Sequence, residues 1–260
     1  MLDFMKGCGV LVIALLFAVL GMPFVFASHI TMQMSASEND TAIVLNVTNR
    51  GDEPAYQVQI VSNVFGRKYE STIKDVLGVG KSLVSTIPVN NTGIAEGTYP
   101  LLITTHYQDA NGYFFSAPFV TLVKNNMHVR SEVMVELKNT EIKTKQKIKA
   151  AIRNFGDSSM KVNLSLLISD EFLVENKSRM IELAPKSSEE VVFDIENFGA
   201  RPGSTYSVYA VAEYHADDRH YASIYPASIK VLAEKKLFHP WIVGGALAVL
   251  ALIIIYLQFR

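Results

Sequence analysis

Between residues 28 and 234 the chain consists of short stretches in which apolar and polar residues alternate, separated by turn-forming residues. A period of two is typical of strands with one buried face, because successive side chains of a strand point to opposite faces. No stretch of this region shows a convincing helical period. In its first half the alternation predicts seven strands, at 29–34, 41–49, 56–62, 68–73, 81–89, 97–107 and 114–124. The region is therefore predicted to be all-β.

The strand pattern occurs twice. An alternating strand that ends in Asn49-Arg50-Gly51-Asp52 is matched 105 residues later by one that ends in Asn154-Phe155-Gly156-Asp157. Further matches, such as Tyr107 with Tyr214, follow at an offset that drifts only from 105 to 107. This period fits a sandwich domain and is too long for a solenoid repeat. The sequence thus predicts two tandem β-sandwiches, at 28–124 and 125–234.

Turn chemistry separates the predicted strands. In Asn-x-Gly-Asp, the Asn and Asp side chains can bond their own backbone, and Gly is expected to take a positive φ. Hairpin turns are predicted at Asp109-Ala110-Asn111-Gly112 and Ala216-Asp217-Asp218-Arg219. The linker near Lys124-Asn125-Asn126 is polar and short, so bending between the two sandwiches is expected to be limited.

The N-terminal segment predicts secretion. An apolar run from Gly7 to Ala27 follows Lys6, and Val25-Phe26-Ala27 suits signal-peptidase cleavage. Residues 1–27 are thus predicted to be a signal peptide, although the run is long enough to remain as an uncleaved N-terminal anchor. The chain's single cysteine, Cys8, lies in this segment. After cleavage, disulfides, cysteine-ligated metals and cysteine nucleophiles would be excluded together.

The C-terminal segment predicts a membrane span. Trp241 to Leu257 contains no charge over 17 residues, and the predicted transmembrane helix covers 238–258. A buried core helix is the alternative. Gly244 and Ala248 form a small-xxx-small pair that could seat a second helix, although an ordinary lipid-facing span also fits them.

A leader before the sandwiches and a span after them predict a single-pass protein of the cell membrane, with an extracellular or periplasmic ectodomain. The flanking charges oppose this orientation, because Lys235 and Lys236 lie outside and Arg260 inside. An established translocation outweighs charges near a late span. The lack of cysteine in both sandwiches favours an archaeal or bacterial envelope.

Composition and motifs exclude several functions. The formal net charge is −1, with no long run of either sign, so no nucleic-acid partner is expected. No nucleophile elbow, zinc-protease helix, phosphate-binding loop or dinucleotide fingerprint occurs. The sequence predicts no enzymatic activity and no cofactor.

One cluster could in principle hold a metal ion. His215, Asp217, Asp218 and His220 bring two imidazoles and two carboxylates into one short segment. They lie in a predicted hairpin turn, where Asp is common for backbone reasons, and Arg219 between them would repel a cation. A solvated turn is the preferred interpretation, and a metal site the alternative.

Asn-x-Ser/Thr sequons are more frequent than chance predicts, so N-glycans are a candidate modification. The candidate sites are Asn39, Asn46, Asn90, Asn163 and Asn176. Asn46 and Asn163 fall inside predicted strands, so their side chains must face outward to be modified.

The motifs together resemble the CARDB or NEW3 class of immunoglobulin-like domains. The resemblance rests on a strand that ends in Asn-x-Gly-Asp, a Gly80-Lys81-Ser82 turn, and Gly97-Thr98-Tyr99 at the start of a long strand. The second copy departs from the pattern, because Pro185 stands at the position of Gly80. The resemblance implies two immunoglobulin-like sandwiches of the kind found in archaeal and bacterial surface proteins, used for adhesion or scaffolding without catalysis.

The leading functional hypothesis is a membrane-anchored surface protein whose two domains interact with a protein or an envelope polymer. The alternative is an accessory subunit of a membrane complex such as a transporter, a translocon or a glycosyl-transfer machine. A metal-dependent enzyme would require the His215 to His220 cluster to bind metal.

Overall fold

The computed structural model describes residues 29–39, 41–89 and 92–233, together with the single positions 245 and 256. Within these residues the chain folds into seventeen strands. The predicted signal peptide lies outside the described residues, and so does the predicted span apart from two positions. Among the described residues, no helix has the length and apolar composition needed to cross a membrane.

The first eight strands form an N-terminal sandwich. They are β1 (Met32–Glu38), β2 (Ala42–Asn49), β3 (Ala55–Val64), β4 (Arg67–Glu70), β5 (Lys74–Leu77), β6 (Ser82–Pro88), β7 (Gly97–Gln108) and β8 (Phe114–Asn125). Strands β1, β2 and β6 form one sheet, called here the N-terminal small sheet. It packs against β3, β7 and β8, and the core between them includes Leu45 and Leu101.

The remaining nine strands form a C-terminal sandwich. They are β9 (Val133–Leu137), β10 (Thr140–Ile142), β11 (Lys145–Asn154), β12 (Met160–Ile168), β13 (Phe172–Val174), β14 (Ser178–Leu183), β15 (Ser188–Asn197), β16 (Thr205–Ala216) and β17 (Arg219–Val231). Strands β13, β15, β11 and β9 form the C-terminal small sheet. It packs against β14, β12, β16 and β17 over a core that includes Phe193 and Leu164. Two facing sheets that are antiparallel apart from the β10–β17 pair are the immunoglobulin-like arrangement, so the all-β sandwich fold predicted from the sequence is confirmed.

One predicted strand is shorter than expected, and one strand was not predicted. The strand expected at 68–73 ends at Glu70 as β4, and β5 follows from Lys74, so that both pair with β3. On its other side β3 has a bulge in its ladder with β7, between Tyr56 and Gln59, with Gln57 at φ 50°. The hydroxyl of Ser71 fills the gap between β4 and β5 by accepting the Ile60 amide at 2.9 Å.

The repeated Asn-x-Gly-Asp turn has the same construction in both sandwiches. Asn49 is fully buried, and its side-chain amide donates to the Glu53 and Leu77 carbonyls while its oxygen accepts from Gly51. Asn154 makes the equivalent bonds to Ser158, Ala184 and Gly156.

The expected reason for glycine in this turn was wrong. Neither Gly51 nor Gly156 has a positive φ. A Cβ on Gly51 would lie 2.1 Å from the backbone oxygen of His29, and one on Gly156 would lie 2.4 Å from Glu132. Glycine is needed at position 51 because the backbone of residues 29–31 crosses directly over the turn, whereas at position 156 the close atoms belong to side chains that can move.

The larger sheets of the two sandwiches join into one ten-stranded central sheet. The junction is a single parallel bridge between Gly97 at the start of β7 and His220 in β17. Gly97 has φ 139°, and a Cβ there would lie 2.1 Å from the His220 backbone oxygen. The two sandwiches are therefore joined through backbone as well as side chains.

Candidate functional site

The structure brings the two candidate histidines together, because His215 and His220 are opposite each other in the β16–β17 ladder with ring centroids 4.8 Å apart. The β16–β17 hairpin turns through Asp217 and Asp218, which have φ of 48° and 58° and are exposed. Two successive positive φ values are those of a two-residue hairpin turn, so the predicted turn is confirmed. His215 is exposed, and partial burial together with neighbouring His220 lowers its pKa.

His220 belongs to the junction between the sandwiches. It is buried, and its Nδ1 donates to the Thr98 carbonyl oxygen at 2.8 Å. Its ring stacks on Tyr99 with centroids 3.8 Å apart. In the part of the chain that the structure describes, no group of three or more His, Cys, Asp or Glu side chains is arranged to hold a metal ion. The hairpin turn accounts for the two carboxylates, and the junction accounts for His220.

The sequons differ in exposure. Asn39 and Asn176 are exposed in loops. Asn46 in β2 and Asn163 in β12 are half-buried within strands. The Asn163 side-chain oxygen accepts from the Ser178 hydroxyl, whereas that of Asn46 is enclosed without a partner among the described residues. Asn90 and the helix-packing pair Gly244 and Ala248 lie outside the described residues.

An ion pair joins the hairpin of one sandwich to a loop of the other. Asp109 is buried at the β7–β8 turn, where it accepts the Asn111 and Tyr113 amides at 2.9 and 3.0 Å. Its second oxygen pairs with Arg201, whose guanidinium lies 4.5 Å from the Phe115 ring centroid. Burial alone would raise the pKa of Asp109, but the two amides and Arg201 together lower it. This carboxylate therefore stays charged at neutral pH and holds the two sandwiches together.

A second carboxylate crosses the same boundary. Glu171 is buried and accepts both the amide of Ser116, at 3.1 Å, and its hydroxyl, at 3.0 Å. The Ser116 hydroxyl in turn accepts the Asp170 amide at 2.7 Å. Burial raises the pKa of Glu171 despite these hydrogen bonds.

A cleft of about 210 Å³ lies between the sandwiches, lined in part by Tyr107, Phe115, Arg201, Tyr206 and Tyr209. Burial raises the pKa of all three tyrosines. The volume is smaller than the roughly 300–1,000 Å³ of small-molecule sites. Since Arg201 is already paired with Asp109, we assign these residues to the joint between the sandwiches and not to a ligand site.

The nine outward side chains of the N-terminal small sheet carry no charge of their own, and the one guanidinium beside them is that of Arg50, which donates to Gln33 at 2.9 Å at one end of the face. Nine side chains point outward in three cross-strand rows: Gln33, Thr48 and Ser82; Ser35, Asn46 and Val84; Ser37, Val44 and Thr86. In β1, β2 and β6 the single charged residue is Glu38, at the end of β1. Val84 is 59% exposed, and the Thr48 and Ser82 hydroxyls lie 2.8 Å apart. This face thus presents small hydroxyl and amide groups around two valines.

The outer face of the C-terminal small sheet is the opposite in chemistry. Three cross-strand ion pairs cover it: Lys145 with Glu196, Lys147 with Asp194, and Lys149 with Glu190. Such exposed pairs add little stability but keep a sheet face in water. The two faces occupy equivalent places in the repeat, since Asn46 lies opposite Val84 where Ala151 lies opposite Glu190. The contrast marks the uncharged face as the candidate interaction surface.

Part of this surface can be read from the sequence. Once the copies are aligned at 105 residues, Val44 falls at the position of Lys149 and Thr48 at that of Arg153. The joint is harder to find, because Arg201 and Glu171 lie 92 and 55 residues from their partners. The available signal is a difference between the copies, with Asp109 where the second copy has Ala216.

No protein-family model and no curated protein matches the chain. Solved structures with partial similarity include an α2-macroglobulin of Escherichia coli, at 11% identity and a TM-score of 0.32, covering 78% of this chain and 17% of that one. The PapD-like domain of human CEP192 matches at 14% identity and a TM-score of 0.32, covering 44% of this chain and 95% of that one. The E. coli chaperone DraB matches at 13% identity and a TM-score of 0.30, covering 40% and 56%. The chain thus spans under a fifth of the α2-macroglobulin, and these likenesses do not indicate a partner.

Proposed function

We propose that the chain is a non-catalytic, membrane-anchored surface protein of the CARDB or NEW3 type, which presents two immunoglobulin-like sandwiches to a protein or envelope-polymer partner. The single observation that carries the proposal is the uncharged outer face of the N-terminal small sheet. Charged residues are depleted where protein surfaces are buried against a partner.

The joint between the sandwiches supports the same function. Asp109 with Arg201, Glu171 with Ser116, and the His220 contacts hold the two units in one arrangement. A rigid body presents a surface without an entropy cost for ordering it on binding. The outer face of the C-terminal small sheet, which is covered by ion pairs, then stays in contact with water and does not bind the partner.

The test is to place a charge on the uncharged face. Val44 lies on the central strand β2, so Val44→Lys adds a cation to the face without touching either edge. The matched control is Ala151→Lys on β11, which adds the same charge to the other small sheet between Glu136 and Glu190. Each full-length chain is captured from its native membrane in mild detergent, and mass spectrometry identifies the partners and the mature N-terminus.

We expect the Val44→Lys chain to lose the partner that wild type and Ala151→Lys retain, with at least a tenfold drop in recovery. Equal recovery by all three chains would contradict the proposal. A mature N-terminus at Ser28 is the expected result for a cleaved leader, whereas an intact Met1 would overturn the proposed topology.

A further inference from the structure

The free edge of β6 lacks the features with which proteins block strand edges. In the N-terminal small sheet β6 lies at one side, next to β2 only. Its seven residues, Ser-Leu-Val-Ser-Thr-Ile-Pro, contain no charge, and they lie in one regular ladder with β2. The outermost strands β4 and β14 of the central sheet each carry charged residues. Natural sheets use charge, proline or bulges to prevent edge pairing, and β6 has only Pro88, at its end.

The hydrogen-bond pattern shows which backbone groups point to this edge. Val89 donates to Thr41 and Asn49 donates to Lys81, which fixes the bonded pairs at each end of the β2–β6 ladder. Bonded pairs alternate with non-bonded pairs in an antiparallel ladder, so Leu83, Ser85 and Ile87 bond to β2. The amides of Ser82, Val84 and Thr86 therefore point away from β2, and they have no backbone partner among the described residues.

The β6 sequence complements itself in antiparallel orientation. With Ser85 opposite Ser85 of a second copy, Val84 faces Thr86 and Leu83 faces Ile87 across the two-fold axis. Outward residues then pair with outward residues, and inward with inward, as sheet register requires. The same register uses every free amide of the edge, because Val84 and Thr86 exchange two hydrogen bonds and the Ser82 amide meets the Pro88 carbonyl. Pro88 has no amide, so the Ser82 carbonyl opposite it is left without a donor and the pairing ends there.

Exposed apolar side chains lie on the same side of the sandwich. Ile73, Val76 and Val79, in and around β5 and in the turn before β6, are 55%, 46% and 49% exposed. Since β5 and β6 are the outermost strands of the two facing sheets on this side, a second copy at the β6 edge would approach these side chains as well. Apolar exposure beside a free edge is a signature of an interaction site.

We propose that β6 pairs antiparallel with β6 of a second copy, in the register centred on Ser85, so that two N-terminal small sheets form one six-stranded sheet. The pairing is isologous and closed, as in a two-fold dimer. It uses the edge and not the face, so it goes beyond the proposed function. Its effect on that function is to place two uncharged faces side by side on one surface, and linked binding sites gain avidity.

Cysteine trapping tests the register. Ser85 opposite its own copy is a non-bonded pair, for which the Cα atoms lie about 4.5 Å apart, within disulfide range. The full-length chain in mild detergent, with Cys8→Ser to remove the one native thiol, carries Ser85→Cys or the control Ser35→Cys on β1. Mild oxidation is expected to yield a covalent dimer with Ser85→Cys and a monomer with Ser35→Cys. Equal cross-linking of both, or of neither, would overturn the proposal.

Edge blocking gives the independent measurement. Thr86→Pro removes an edge-facing amide that β2 does not use, so the ladder to β2 is kept. Thr86→Lys adds a charge to the same edge. Light-scattering mass is expected to fall twofold in both variants while circular dichroism is unchanged. A monomeric wild type, a dimer that persists in both variants, or a strand of a different protein bound at β6 would refute the pairing. A monomeric wild type that still captures its partner would refute the β6 pairing and leave the proposed function standing. Val44→Lys chains that stay dimeric but lose the partner would show that the uncharged face binds it, independently of the β6 pairing.

Discussion

Asn49 in the N-terminal sandwich and Asn154 in the C-terminal one hold the repeated Asn-x-Gly-Asp turn. Both are fully buried, and each donates to main-chain oxygens of two separate segments. An aliphatic side chain cannot replace these bonds, and buried carbonyls would be left unsatisfied.

We therefore expect Asn49→Ala and Asn154→Ala each to lower the free energy of unfolding by about 1–3 kcal/mol, measured by urea denaturation. The control is Asn63→Ala, because Asn63 is exposed in β3. That control should change the free energy by less than about 0.5 kcal/mol. A loss as large in Asn63→Ala as in the buried pair would show that the turn network is not the cause.

Elements meet at the joint through carboxylates that respond to pH in opposite directions. Burial raises the pKa of Glu171 above its unfolded value, so its contribution to stability is complete below the unfolded pKa and is lost as the pH rises through the folded pKa. The pKa of Asp109 is lowered, so its contribution is present above the unfolded pKa and is lost as the pH falls through the folded pKa. Stability at the joint should be greatest at mildly acidic pH.

Glu171→Gln isolates one side of this dependence. The amide keeps an oxygen that can accept from Ser116 but cannot ionise. From pH 5 to pH 8, the melting temperature of the wild type should fall further than that of Glu171→Gln. Glu189→Gln, an exposed change in β15, should follow the wild type. Parallel pH curves for all three proteins would contradict a role for Glu171.

Sequence pattern predicts local features of this fold well and distant ones poorly. Alternation located β2, β7 and β8 closely, and the hairpin turn at Asp217 and Asp218 was correctly placed, because periodicity and turn chemistry are encoded in neighbouring residues. Strand β5 was missed, since it is only four residues long and depends on pairing with β3. The glycine of the repeated turn was expected for the wrong reason, because only the folded chain brings His29 over Gly51.

The candidate surface could likewise be predicted only in part from the sequence. Its uncharged side chains are visible once the two copies are aligned, but its free edge requires the sheet order. The joint could not be found from one sequence, because pairs such as Arg201 and Asp109 leave no local pattern. The resemblance to CARDB and NEW3 domains stays a prediction.

At the scale of the whole molecule, Gly97 controls whether the two sandwiches share one sheet. Gly97→Ala adds a Cβ against the His220 backbone at a φ of 139°. Gly203 is the matched control, because it follows the same repeat pattern with φ 84° but has open space around its Cα. We expect Gly97→Ala to cost about 1–3 kcal/mol and to separate unfolding into two calorimetric transitions, whereas Gly203→Ala pays only the backbone strain. A single unchanged transition in Gly97→Ala would show that the bridge does not couple the sandwiches.

The parallel pair of β10 and β17 has a consequence for a protein held at its C-terminal end. Thr140 to Ile142 run beside Ile229 to Val231 in the same direction. Tension carried along the chain would enter the C-terminal sandwich through β9 and β10 and leave at the end of β17. Parallel neighbours drawn from opposite ends slide along each other, so their hydrogen bonds are strained together and not one after another. The C-terminal sandwich is therefore built to resist stretching between its two ends.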